Sequence, residues 1–263
     1  MATARTRAQP PCMQLCGKRN CLSVLPEGLA NMLQLRAWKV LSGGDHGWLK
    51  ARHHFVFNGE GNPAHSPLGS LVIWNDDEVA ARSGFPMHGH RDMEIVTYVR
   101  EGVLRHEDDA GGGGVIIAGN VQAISAGRGV RHAEYNPGDE VLKIFQIWLK
   151  PRRRGFDPRW ASKSFPGSRH AGVLVPLASG FPEDAHALQI DADARVLGAT
   201  LEAGQHIDYP LLRTRFGYLV PARGSVTVNG QRVGQRDGLA IREESGILIA
   251  ATEDAEIVFV DAG

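Results

Sequence analysis

The sequence predicts an all-β protein built as two barrel-like halves with few short helices. Three observations carry this. Apolar and polar residues alternate in many short segments, turn residues separate those segments at close intervals, and long helix-periodic stretches are scarce in a chain of 263 residues with 32 Gly and 14 Pro. Alternation with a period of two marks a strand with one buried face. Many such strands broken by turns read as a sandwich or barrel rather than as strands alternating with helices.

Residues 1–31 read as a disordered extension: Pro10-Pro11, scattered basic residues and no sustained period. All three cysteines, Cys12, Cys16 and Cys21, fall in this stretch. Their spacing matches no tetrahedral zinc pattern, and a folded part without cysteine fits a reducing compartment. No apolar run there is long enough for a signal peptide or a membrane span, so a cytoplasmic protein without a membrane partner is expected.

Residues 33–41 open the folded part with Leu33-Gln34-Leu35-Arg36-Ala37-Trp38, an alternating run. Further strands are expected over 53–57, 68–74, 93–99, 103–107, 122–126 and 140–149. The expected turns between them are Asn58-Gly59, Asn75-Asp76-Asp77, Glu101-Gly102 and the four glycines 111–114. Those glycines read as a hairpin tip, since a phosphate cradle needs a following helix and a Lys-Ser/Thr pair. The first half thus spans 32–150. The basic run Lys150-Pro151-Arg152-Arg153-Arg154 then begins an irregular linker over 151–180. A second β half follows over 181–263, with strands expected at 197–201, 215–220, 224–230 and 256–260. Its Asn229-Gly230 is a strong type I′ hairpin signal.

Lys plus Arg number 29 and Asp plus Glu number 29, a formal charge of zero. A protein that lives by phosphate contacts shows a basic excess, so direct nucleic-acid binding is not expected. The 11 histidines point elsewhere, because three of them cluster. His88 and His90 form one pair with a single residue between, and His132 and Glu134 form another. On strands each pair aims both donors to one face, and two such strands side by side make a three-nitrogen, one-oxygen metal site. That donor set suits divalent iron, copper, nickel or zinc better than calcium or magnesium. Glu94 competes with Glu134 for the oxygen position, because it shares a face with His88 and His90 if the strand stays regular. His106, His170, His186 and His206 read as surface or satisfied core residues, and one of His53 and His54 reads as a cavity-lining side chain. Arg128 and Arg131 read as hydrogen-bonding partners of turn carbonyls, and Phe55, Phe57, Trp74 and Trp148 as barrel core.

His88-x-His90-x3-Glu94, followed by Gly127 and His132-x3-Asn136, resembles the two signature motifs of the cupin superfamily. More narrowly, the runs 87–102 and 125–134, with His46-Gly47-Trp48-Leu49, Asn75-Asp76-Asp77 and Gln146-Ile147-Trp148, resemble the pirin family from about residue 33 onward. The resemblance implies a bicupin, two facing β-barrels of the double-stranded β-helix or jelly-roll kind. One metal would lie in the N-terminal barrel, and the C-terminal barrel would be degenerate. It assigns His88, His90, His132 and Glu134 as ligands, with Glu94 beside them, and iron as the usual metal among the transition metals that also include copper, nickel, manganese and zinc. Gly89 stands where the family usually has proline, which loosens the first pair.

The resemblance further implies a quercetinase-type dioxygenase, an oxidoreductase that cleaves a small flavonol with dioxygen, Glu134 acting as general base. Its alternative implication is a metal- or redox-responsive regulatory protein that modulates a transcription factor or metabolic enzyme. A purely structural metal is disfavoured, because structural zinc sites are thiolate-rich.

Overall fold

The computed structural model describes residues 32–164 and 172–263; the expected extension 1–31 with its three cysteines, and His170, lie outside them. The described residues form 22 strands and one short 3-10 turn, Trp38–Val40. The first eleven are β1 (Leu33–Arg36), β2 (Ser42–Asp45), β3 (Leu49–His53), β4 (Leu71–Val79), β5 (Gly84–His90), β6 (Glu94–Glu101), β7 (Val103–Asp108), β8 (Gly113–Ile117), β9 (Asn120–Ser125), β10 (Val130–Tyr135) and β11 (Leu142–Leu149). Next come β12 (Arg159–Ser164), β13 (Val175–Ser179), β14 (Leu188–Gln189), β15 (Ala194–Leu201), β16 (His206–Tyr209) and β17 (Phe216–Arg223). The chain ends with β18 (Val226–Val228), β19 (Gln231–Val233), β20 (Gly238–Ile241), β21 (Ile247–Ala251) and β22 (Ala255–Ala262). None of the described helices is long and apolar enough to cross a membrane.

Each half is a two-sheet jelly roll. In the first, the seven-stranded sheet β12-β9-β6-β11-β4-β3-β2 faces the four-stranded sheet β5-β10-β7-β8. In the second, β1-β20-β17-β22-β15-β13-β14 faces β16-β21-β18-β19. The sheets stay open along their edges rather than closing into hydrogen-bonded barrels.

The two seven-stranded sheets pack on each other through Trp74, Tyr98 and Phe145 on one side and Val196, Tyr218 and Val258 on the other. This explains why β11 reads as an almost unbroken apolar run. Phe145, Ile147 and Leu149 face the other half, whereas Leu142 and Ile144 face the interior of their own. Each such side chain gains about 1.5–3 kcal/mol on burial. The interior of the second half is filled by aliphatic and aromatic side chains, among them Leu219, Val226, Ile249 and Phe259. Asp76, fully buried, pairs with Arg100 of its own half and with Arg236 of the other, Nε lying 2.5 Å away.

Several sequence expectations are corrected. The alternation over 33–41 breaks after Arg36, where Trp38 takes the cations of Arg52 and Arg236 on its ring. Residues 54–57 do not extend β3; Phe55 is buried between the halves instead. Asn75-Asp76-Asp77 is no turn but the middle of β4, because its polar side chains find partners or burial on both faces of the sheet. Within the expected linker, β12 pairs with β9 and β13 with β15. Its basic run finds internal acids, Arg153 on Asp191 and Arg152 on Asp193. Of the His53-His54 pair, His54 is buried in the core with its Nδ1 2.8 Å from the Tyr218 hydroxyl, and His53 packs its ring against Phe57. The Asn229-Gly230 hairpin appears as expected, with φ of 47° and 85°.

Candidate metal centre

The site is assembled on β5 and β10. β5 is an edge strand, which is why it tolerates Pro86, whose missing N–H would break an inner ladder. Its alternation sends His88 and His90 to one face, opposite His132 and Val130 of β10. The strands approach closely at their far end: a Cβ on Gly84 would lie 2.2 Å from the Glu134 carbonyl oxygen. Between His132 and Glu134 the register shifts, so His132 faces His88 while Glu134 faces Phe85. The imidazoles converge, with ring centroids 4.4 Å apart for His88 and His132, 4.8 Å for His88 and His90, and 5.0 Å for His90 and His132. One nitrogen from each lies within 4.8 Å of the others.

The surroundings orient these rings and hold His90 and His132 neutral. His88 Nδ1 lies 2.8 Å from the Pro86 carbonyl oxygen, which accepts its proton and leaves Nε2 with a free lone pair. Burial, then the neighbouring His88, pushes His90 down to about 4. Burial and the His88, His90 and His106 rings push His132 down to about 3. His132 Nε2 is buried with no protein hydrogen-bond partner. An unpartnered buried nitrogen beside two more imidazoles, with no thiolate near, fits a borderline transition ion. Gly89 is not required by its conformation, since an added Cβ would meet nothing closer than 3.8 Å.

Glu134 stands two residues from His132 and is fully buried. Both its oxygens are held from the seven-stranded sheet across the interior, Oε1 by Gln122 Nε2 at 2.5 Å and Oε2 by Gln146 Nε2 at 2.8 Å. Gln122 and Gln146 flank Thr97 in one register row, so they form a polar stripe in an otherwise apolar wall. Burial raises the Glu134 carboxyl to about 7 despite these two hydrogen bonds. The buried Asp77, raised well above the usual range by burial and by Asp76 and Glu134, adds a second acid to this wall.

The shared face expected for Glu94 is not found. β5 ends at His90 and β6 begins at Glu94, with Asp92 at a φ of 50° between them. Glu94 therefore stands opposite Ser125 and Leu149, on the face of β6 away from Thr97, and accepts from Ser125 Oγ at 2.6 Å. Burial lifts it to about 7 as well.

Four participants escape the sequence reading. His106, read there as surface or satisfied core, is fully buried and joins His132 and Glu134 in a second group of convergent ligand atoms. Its Nδ1 lies 3.5 Å from His132 Nδ1, its Nε2 3.1 Å from Asp108, and its ring stacks on Trp160. Trp160 also donates to Gln122 Oε1 at 2.9 Å. The available signals were a second His-x-Asp pair at strand spacing and a glutamine inside the apolar run 121–124. Beside His90, a cavity of about 430 Å³ is also lined by Arg91, Asp109, Arg128 and Arg131. Arg128 pairs with the Asp157 carboxylate and the Arg131 guanidinium reaches the Met87 carbonyl within β5, so neither of these partners is the turn carbonyl expected.

Comparison with known proteins agrees with this architecture. Residues 35–149 match the family model for pirin, and residues 177–262 match that for a quercetinase C-terminal cupin domain. A pirin-like protein of Caulobacter vibrioides is 53% identical over 231 residues, covering 88% of this chain and 100% of that protein. A quercetin 2,3-dioxygenase of Escherichia coli is 34% identical, covering 88% and 98%. The crystal structure of the bacterial pirin YhhW from Escherichia coli in complex with nickel(II) superposes with a TM-score of 0.82 at 33% identity, covering 88% and 99%. The chain belongs to the pirin family of cupin proteins.

Proposed function

We propose that the protein is a metal-dependent dioxygenase of the quercetin 2,3-dioxygenase type. His88, His90, His132 and Glu134 hold one divalent transition metal, iron, and the substrate is a flavonol-like small molecule. The convergence of three imidazoles, with the buried, doubly hydrogen-bonded Glu134 carboxylate close to His132, carries this reading. A relative that is 34% identical bears the name of this activity, and the nickel(II) complex of YhhW supports a transition metal in this family.

When bound, the metal supplies Lewis acidity and a redox centre for dioxygen chemistry. The chain's own residues do the rest. Glu134, as carboxylate, accepts the proton of the flavonol 3-hydroxyl. Gln122 and Gln146 keep both its oxygens aimed and stop it turning away. Trp148 packs edge-on against His90 at 4.9 Å and screens that ring from water. The cavity beside His90 admits the planar substrate, and its arginines meet the phenolate charge of a flavonol.

An oxygen electrode tests this directly. Protein loaded with one equivalent of ferrous iron is expected to consume dioxygen on addition of quercetin, with loss of the flavonol absorbance. Unchanged absorbance and no uptake with iron, copper, nickel or manganese would sink the proposal.

A further inference from the structure

The buried chain of Asp108, His106 and His132 does something no ligand set describes. Asp108 Oδ1 accepts the backbone N–H groups of Ala110 at 2.9 Å and Gly112 at 2.7 Å. Its Oδ2 lies 3.1 Å from His106 Nε2. A carboxylate held this way only accepts, so the proton on that contact belongs to His106 Nε2. A neutral His106 then has a bare Nδ1, and this atom faces His132 Nδ1 at 3.5 Å. The contact is satisfied only if His132 carries its proton on Nδ1. That leaves His132 Nε2 bare, and this is the atom buried without a protein partner.

The surroundings hold this arrangement in place. His106 has no exposed surface, and its ring lies parallel to Trp160, 1° apart in plane and 5.3 Å between centroids. The glycine run makes the room. A Cβ on Gly114 would lie 2.7 Å from the Trp160 ring, and one on Gly112 would lie 2.3 Å from Asp108 Oδ2. The His106-x-Asp108 pair, Gly112 and Gly114 thus serve one local construction where β7 meets β8.

We infer that Asp108 and His106 form a positioning relay that fixes His132 as the Nδ1–H tautomer, presenting Nε2 to a metal ion. The inference rests on the metal reading above for its purpose, but the relay itself exists in the metal-free chain. Partners that fix the tautomer and orientation of a ligating histidine raise its basicity and are worth about 10–100-fold in metal affinity.

The full chain without metal provides the test. Long-range proton–nitrogen correlation spectra near neutral pH read the His132 tautomer, and wild type is expected as Nδ1–H. In Asp108→Asn, the amide oxygen is expected to keep the Ala110 and Gly112 N–H groups and turn its NH2 toward His106. The relay then runs backwards, His132 becomes the Nε2–H tautomer, and nickel(II) affinity falls by about 10–100-fold. An Nε2–H His132 in wild type would overturn the relay, as would an Asp108→Asn protein that keeps both the Nδ1–H form and the wild-type nickel(II) affinity. If Asp108→Asn does not fold, His106→Phe retains a ring on Trp160 and removes only the nitrogens. Mixed His132 tautomers then support the relay, and an unchanged tautomer with unchanged affinity refutes it. A wild-type protein with Nδ1–H His132 that fails to bind nickel(II) would remove the metal reading and leave the relay standing.

Discussion

Loading the site with a divalent ion should release a proton from Glu134. Burial holds that carboxyl at about 7, whereas His90 and His132, at about 4 and 3, are already neutral throughout the range of interest. The ion takes the carboxylate form, so a raised pKa weakens binding as the pH falls. With a pKa of about 7, roughly 76% of Glu134 is ionised near pH 7.5 and about 3% near pH 5.5, so apparent affinity drops about 25-fold across that interval. Glu134→Gln removes this component and any other pH dependence stays. Nickel(II) titration calorimetry at both pH values, in buffers of different ionisation heat, gives affinity and protons released together. Wild type is expected to lose about 25-fold more affinity than Glu134→Gln over the interval. Equal losses in the two proteins would refute the assignment of the proton to Glu134.

Three further outcomes follow from the packing. Gln146→Leu strips one donor from the Glu134 carboxylate and is expected to cost about 1–3 kcal/mol in urea unfolding at pH above 7, and less below pH 5, where the carboxyl is neutral. Gly84→Ala drives a Cβ into the backbone of β10 at 2.2 Å; a stability loss of about 1–3 kcal/mol, seen as a lower thermal midpoint, should come with weaker nickel(II) binding as β5 is pushed off. Asp76→Ala leaves the Arg100 guanidinium buried without its carboxylate and leaves Arg236 of the second half with Glu78 alone, for an expected loss of about 3–5 kcal/mol in the same unfolding assay.

Much of this architecture was legible in the chain, because period-two alternation, turn residues and the Asn229-Gly230 pair act locally. His88 and His90 could be read as one donor pair for the same reason. What was not legible is long-range. No local pattern says that β1 joins β20, some two hundred residues away, or that β12 leaves an apparently irregular segment to place Trp160 over His106. Asn75-Asp76-Asp77 looks like a turn until Arg236 from the other half arrives to pair with Asp76. Glu94 misled for a subtler reason. Counting residues in twos holds only while a strand continues, and after the break at Asp92 the chain enters the opposing sheet, with Glu94 on the face of β6 away from Thr97. His106-x-Asp108 carried the right spacing, but a histidine paired with aspartate is as common in ordinary cores, and only the 3.5 Å contact to His132 separates the two readings.

The proposed reaction is the insertion of dioxygen into a flavonol at this site. Mass spectrometry of the product formed from quercetin under oxygen-18, with iron-loaded protein, tests it most directly. Both labelled atoms are expected in the cleaved product together with release of carbon monoxide, and neither in His132→Ala; an unlabelled product, or label that persists in His132→Ala, would rule this reaction out.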